Sequence, residues 1–173
     1  MLDFGTVFKI TGSGETVLYS FSTAPGDGFN PNAGLIEGQD GNFYGTTTGG
    51  GTGGVGTVFK ITPSGTLTIL HSFSGGIAGP GADGAAPKAR LLLARDGNFY
   101  GTTESGGDYL KGTLFKMTPD GTVTILYSFG NPAIPGDPAF PDTGLIQATD
   151  GSFYGTSRAG GTANDGTVFK VTP

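Results

Sequence analysis

The feature that most constrains this chain is a string of residues that returns at a near-constant interval. Gly-Thr-Val-Phe-Lys begins at Gly5, Gly56 and Gly166, and a Gly-Thr-Leu-Phe-Lys version begins at Gly112, giving offsets of 51, 56 and 54 residues. Asp-Gly-Asn/Ser-Phe-Tyr-Gly-Thr begins at Asp40, Asp96 and Asp150, and Ser-Phe closes an apolar run at Ser20, Ser72 and Ser128. A unit of this kind cannot bury its apolar face alone, so neighbouring units must stack. Without a period, 35 Gly and 11 Pro in 173 residues would read as low complexity. In register they are punctuation, and 13 Phe with 6 Tyr supply the apolar surface of a packed domain.

Each period predicts four short strands. The first is Gly34–Gly38, matched by Arg90–Ala94 and Gly144–Ala148. An Asp-Gly turn leads into the second at Phe43–Thr47, with copies at Phe99 and Phe153. A Gly-rich loop precedes the third, Thr57–Thr62, and Pro63-Ser64-Gly65 turns the chain into the fourth, Thr66–Phe73. β-branched and aromatic residues dominate every run, and no helical periodicity competes. The strands are apolar on both faces, with Thr the only polar residue in Leu67–Leu70 and Val123–Leu126. Four-stranded units buried on both faces suit blades around an axis, so the predicted fold is an all-β propeller, with a parallel β-solenoid as the alternative.

The chain reads as one repeat domain over residues 1–173. Residues 5–21 supply a third and a fourth strand, 33–73 and 89–129 are complete blades, and 143–172 hold the first three strands. The two ends taken together could close a ring of three blades. That is below the usual four to eight, so the expectation is that two copies associate into a larger ring or that the chain is an excerpt of a longer array. An unpaired terminal strand is also an edge able to add to another chain.

Charge and composition remove several classes. Net charge is −5 with 9 scattered Lys plus Arg, so nucleic acid and anionic membrane are poor partners. The absence of cysteine excludes disulfides, thiolate catalysis and Cys-based metal sites. The opening Met1-Leu2-Asp3-Phe4-Gly5-Thr6 lacks the charged and apolar regions of a signal peptide, and no apolar run approaches the roughly 20 residues of a membrane span.

Pro-x-x-Gly-Leu-Ile, Asp-Gly-Asn-Phe-Tyr-Gly-Thr-Thr, Gly-Thr-Val-Phe-Lys-Ile-Thr-Pro and Leu-Tyr-Ser-Phe together resemble the GloVer (Gloeo-Verruco) tandem repeat, over nearly the whole chain. The resemblance implies a bacterial exported protein, extracellular or displayed at the cell surface beside varied anchoring signals, and it transfers no activity to any residue. No signal or anchor is read in this chain, which points to an excised segment. The blade pattern is also similar to NHL and kelch propellers, an analogy of fold alone.

Residues present in every copy are assigned to the scaffold. Asp40, Asp96 and Asp150 precede Gly in turns, and Lys9, Lys60, Lys116 and Lys170 sit mid-strand with stems able to snorkel to a rim. The long connection after each fourth strand carries Asp-x-x-x-Pro, at Asp27–Pro31, Asp83–Pro87 and Asp137–Pro141. Asp27, Asp83 and Asp137 are therefore the candidate calcium ligands, against a plain Asx-turn that orients the chain into the next blade. His71, the only histidine, stands where Tyr19 and Tyr127 stand in other copies and reads as their substitute. No Gly-x-Ser-x-Gly is present. Among the non-repeated acids Glu37, Glu104, Asp108 and Asp165, nothing selects the carboxylate pair that glycoside hydrolysis needs. Gly49–Gly54 lacks the Lys-Ser/Thr of a phosphate loop and reads as a flexible connection. There is no Trp, and Tyr109 is the one loop aromatic able to stack on a sugar, so Tyr109, Asp108 and Glu104 are the candidate ligand contacts.

The sequence thus predicts a non-enzymatic binding or self-assembling module whose partner is a polysaccharide, a surface protein or a second copy. The alternative is a lectin or carbohydrate-active enzyme using the channel mouth.

Overall fold

Runs of β-branched and aromatic residues between Gly-containing turns fold as strands throughout. The computed structural model describes residues 4–75 and 83–172, and these contain no helix. In chain order the strands are β1 (Thr6–Thr11), β2 (Gly14–Ser20), β3 (Gly28–Phe29), β4 (Ile36–Glu37), β5 (Phe43–Thr47), β6 (Gly49–Gly50), β7 (Thr57–Ile61) and β8 (Leu67–Ser72). They continue as β9 (Leu92–Leu93), β10 (Phe99–Thr103), β11 (Thr113–Met117), β12 (Val123–Ser128), β13 (Ala139–Pro141), β14 (Ile146–Gln147), β15 (Phe153–Ala159) and β16 (Thr167–Val171).

Two four-stranded sheets form, β4-β5-β7-β8 and β9-β10-β11-β12. Strands β1 and β2 make a sheet of their own, and β14-β15-β16 make a third unit onto which β13 also pairs through β15. All pairings between named strands are antiparallel, so the parallel solenoid is overturned. Among the described residues, the β1-β2 sheet and the β14-β15-β16 sheet do not pair with each other.

The register repeats with the sequence. Gly45 opposes Phe59, Gly101 opposes Phe115 and Gly155 opposes Phe169. A Cβ on Gly101 would stand 2.6 Å from Phe115 Cζ and 2.9 Å from Leu91 Cδ2, so the glycine of Phe-Tyr-Gly-Thr is where the third-strand ring lies across the second strand. A bulge recurs before the same phenylalanine of the third strand, at Val7/Phe8, Val58/Phe59 and Leu114/Phe115.

Sheets stack through aromatic contacts that recur one repeat apart. Tyr44 meets Phe99 and Tyr100 meets Phe153, each with centroids 4.2 Å apart. The phenylalanine after each fourth strand meets the third-strand ring of the next unit: Phe21 on Phe59 and Phe73 on Phe115 at 5.3 Å, Phe129 on Phe169 at 5.0 Å. Three apolar clusters fill the three junctions between units. Buried hydroxyl pairs, Thr47–Thr57 at 2.7 Å and Thr103–Thr113 at 2.8 Å, satisfy the polar atoms enclosed there. Burial on both faces holds for β7 and β11, whereas β12 alternates half-buried and exposed positions from Val123 to Leu126.

Two expectations are corrected. First strands are shorter than the five-residue stretches expected, two residues each at β4, β9 and β14. Gly49–Gly54 is a folded segment, not a flexible loop. Gly49 and Gly50 pair with Phe29 and Gly28, and the Gly50 N–H donates to the Gly54 carbonyl at 3.3 Å.

Candidate functional site

The turn aspartates repeated in every copy are bound within their own units. Asp96 accepts the Asn98 N–H at 3.1 Å, Asn98 Nδ2 at 2.8 Å, the Tyr100 hydroxyl at 2.9 Å and Lys116 Nζ at 3.0 Å. Burial pushes the Asp96 carboxyl up, but these donors outweigh it and hold it well below the usual carboxylate range. Asp40 is lowered first by its bond from Asn42, and Asp150 by the Ser152 N–H and then Lys170. The partner Tyr44 is pushed up to about 12 by burial and by Asp40. Lys116 and Lys170 thus reach the turn aspartates of their own sheets, at 3.0 and 3.1 Å.

The connector aspartates do similar work at the other end of the fourth strands. Asp27 accepts the Ser22 N–H and hydroxyl, both at 2.9 Å. Asp83 accepts the Ser74 N–H at 2.9 Å and its hydroxyl at 2.7 Å, and lies 2.9 Å from His71 Nε2. Asp137 accepts the Gly130 and Asn131 N–H groups at 2.6 and 2.8 Å, and the Tyr127 hydroxyl. Burial raises Asp83, and the donors on His71 and Ser74 bring it below the ordinary value. Register places His71 opposite Val58 as Tyr127 stands opposite Leu114, so the histidine fills the tyrosine position and meets Asp83 as Tyr127 meets the equivalent Asp137. The three candidate calcium ligands therefore lie in three separate connectors, each holding donors of its own loop. Among the described residues, no group of three or more His, Asp or Glu side chains is gathered for a metal.

Glu104 has a different setting. It follows β10, and the matching position is Thr48 after β5 and Arg158 within β15. The half-buried Glu104 carboxylate lies 2.7 Å from Lys88 Nζ on the connector before β9, and 3.3 Å from Arg158 of the next sheet. Arg158 also stands over the Phe140 ring at 5.2 Å, with Lys111 Nζ over the same ring at 4.5 Å. Phe140 has φ 57, a left-handed backbone shared by Asn30 and Ala86 at the same connector position. The Phe140 N–H donates to the Lys111 carbonyl at 2.8 Å, as that of Ala86 does to Val55. The strained position thus belongs to the connector, and only its third copy puts a ring there.

Of the three candidate ligand contacts, the structure builds this cluster on Glu104. Asp108 and Tyr109 lie further along the same loop, both exposed, with the Asp108 N–H donating to Ser128 Oγ at 3.3 Å. Lys88, Lys111, Phe140 and Arg158 are the members that sequence reasoning missed. The signal was available: each occupies a position where the three copies differ in charge or size, Asn32/Lys88/Asp142, Val55/Lys111/Asp165, Asn30/Ala86/Phe140 and Thr48/Glu104/Arg158.

A family model described as the Gloeobacter/Verrucomicrobia repeat matches residues 3–173. A search of curated proteins finds no match. Among solved structures, the chain is similar to virginiamycin B lyase from Staphylococcus aureus, with 16% identity and TM-score 0.58 over 98% of this chain and 50% of that one. It is similar to a streptogramin B lyase, with 14% identity and TM-score 0.55 over 98% and 48%. It is also similar to the extracellular domain of a B. thetaiotaomicron protein described as a one component system, with 13% identity and TM-score 0.58 over 96% and 19%. The chain therefore spans about half the length of these lyases. At such identities the likeness is one of fold.

Proposed function

We propose that this chain, which belongs to the Gloeobacter/Verrucomicrobia repeat family, is a non-enzymatic, exported β-propeller module that binds acidic polysaccharide on its connector rim. The observation that carries the reading is the convergence of non-repeated charged side chains from two sheets on Glu104, while the repeated aspartates serve their own loops. Three cations, Lys88, Lys111 and Arg158, surround one carboxylate and one aromatic ring. Glu104 is 15% exposed and Arg158 58%, so Arg158 is the accessible member of the cluster and can meet a ligand carboxylate while Glu104 keeps Lys88 at 2.7 Å. Arg158 offers the planar fork that suits a uronate, and Phe140 and Tyr109 offer apolar ring faces.

Binding fits the rim better than glycoside hydrolysis, the reaction considered for the alternative enzyme. Glycoside hydrolysis calls for a pair of carboxyl groups, whereas the cluster brings cations, Lys88 at 2.7 Å and Arg158 at 3.3 Å, to Glu104. The likeness to an extracellular domain supports the exported location.

Affinity electrophoresis through gels containing polygalacturonate or neutral dextran tests the reading. Polygalacturonate should retard the chain, dextran should not, and Arg158→Ala should abolish the retardation. Glu104→Gln should retain or strengthen it. Equal mobility in all gels would overturn the proposal.

A further inference from the structure

The two incomplete sheets expose complementary halves of one blade. In β16, Val168 is 77% exposed, whereas its counterparts Val58 and Leu114, which lie beneath a fourth strand, are 0% exposed. Beside it a groove of about 560 Å³ runs between β16 and the end of β12, with Leu126, Tyr127 and Phe129 on one wall and Val168 and Lys170 on the other. In the hairpin the deficit is reversed. Phe8 and Ile10 of β1 are 52% and 71% exposed, whereas Phe59, Phe115, Ile61 and Met117 are 0% exposed in sheets that have first and second strands.

We infer that two copies of this chain join head to tail, β2 of one copy becoming the fourth strand beside β16 of the other, with β16 taking the place of β1. The exchange is nearly neutral in pairing. β1 reads Thr-Val-Phe-Lys-Ile-Thr and β16 with its following residue reads Thr-Val-Phe-Lys-Val-Thr. β2 opposes β1 as the fourth strands oppose the third: Phe8 to Val17 and Lys9 to Thr16, as Phe115 to Ile125 and Lys116 to Thr124. What decides the direction is burial. β1 is exposed at five of its six positions and pairs only with β2, and Val7 is its one buried side chain in the cluster with Phe21, Phe59 and Ile61, so its release uncovers one valine, which the matching Val168 of β16 would replace. β16 is already paired with β15 along its length, stacks Phe169 on Phe129 and ties Lys170 to Asp150, so it is the third strand that stays. The swapped β2 keeps its own contact with the next sheet, Phe21 on Phe59.

Each copy then contributes three four-stranded blades, and two reciprocal joints close a two-fold ring of about six, within the usual range of four to eight. The occupant is a second copy because the groove accepts the pattern that β2 carries, and because one chain spans about half of the lyases it resembles. This goes beyond polysaccharide binding, which gel retardation reads separately.

The test uses the full chain. Native mass spectrometry and sedimentation velocity should give a dimer. Val168→Lys, at a position exposed within one chain, should give a folded monomer with an unchanged circular dichroism spectrum. Because the chain has no cysteine, Thr16→Cys with Lys170→Cys should yield a covalent dimer under mild oxidation, through the predicted Lys170–Thr16 register. A wild-type monomer at every concentration would overturn the inference. So would a dimer that Val168→Lys leaves intact, or a Thr16→Cys, Lys170→Cys double variant that forms no cross-link.

Discussion

Replacing Gly101 by alanine sets two effects of known sign against each other. Gly101 is not in the left-handed region, so alanine fits the backbone and should stabilise by about 0.4–1 kcal/mol through a less flexible unfolded chain. Against this, the new methyl would stand 2.6 Å from Phe115 Cζ and 2.9 Å from Leu91 Cδ2. Phe115 is fully buried and is itself in contact with Phe73 at 5.3 Å, so it has no free direction to move. Overpacking of such a site costs about 1–3 kcal/mol, and the packing term wins. The expected net loss is about 1–2 kcal/mol, or roughly 2–8 °C in Tm for a domain of this size. The assay is urea and thermal unfolding followed by circular dichroism, in a double-mutant cycle with Phe115→Leu. Removing the ring removes the nearer obstacle and leaves space into which the Leu91 methyl can shift, so Gly101→Ala should cost distinctly less when Phe115→Leu is already present. A higher Tm for Gly101→Ala alone would refute the reasoning, as would an equal loss in both backgrounds.

Two further outcomes follow from the aspartate networks. Asp40, Asp83, Asp96 and Asp150 are lowered in the folded chain, so the unfolded chain binds more protons in the acid range, and their contribution is complete above the unfolded value of about 4. The urea midpoint should hold from pH 7 to about 5 and fall below about pH 4, less steeply in Asp96→Asn; a flat midpoint down to pH 3 would contradict the assignment. At the fourth-strand end, His71→Tyr should stay within about 0.5 kcal/mol of wild type, because Tyr127 makes the same bond to Asp137. His71→Phe leaves Asp83 with its Ser74 donors only and should lose about 1 kcal/mol by urea titration. Equal stability of the Tyr and Phe variants would show that the bond contributes nothing.

The strands were legible because their signals are local. Asp-Gly before Phe-Tyr and Pro-Ser-Gly before Thr-Leu-Thr each determine a turn from adjacent residues. The connectors were not, because what folds them is a partner distant in sequence: Phe29 reaches Gly49, and Ala139 reaches Ala159. Glycine-rich stretches such as Gly49–Gly54 carry no side-chain pattern, so their pairing is invisible until the opposing loop is in place. The same holds for Asp27, Asp83 and Asp137. Their recurrence announced a role, but apart from the Gly28 N–H on Asp27 the donors they bind come from residues five to twelve positions earlier, across the end of a strand.

Repetition also explains where the site could and could not be seen. A residue fixed in every copy faces the same neighbours in every copy, and those neighbours are internal, as Tyr44 on Phe99 and Tyr100 on Phe153 demonstrate. Function specific to one place must therefore rest on positions where the copies differ. Reading differences among acids alone found Glu104 but left it without partners, because Lys88 and Arg158 are 16 and 54 residues away in sequence and 2.7 and 3.3 Å away in space. The stacking rule that places Phe153 on Tyr100 also carries Arg158 from the third sheet to the rim of the second. Repeat periodicity thus supplies the tertiary neighbour that local pattern lacks: a loop position in one unit faces the equivalent loop of the next, and Glu104 opposite Arg158 is the case where those two residues carry opposite charge.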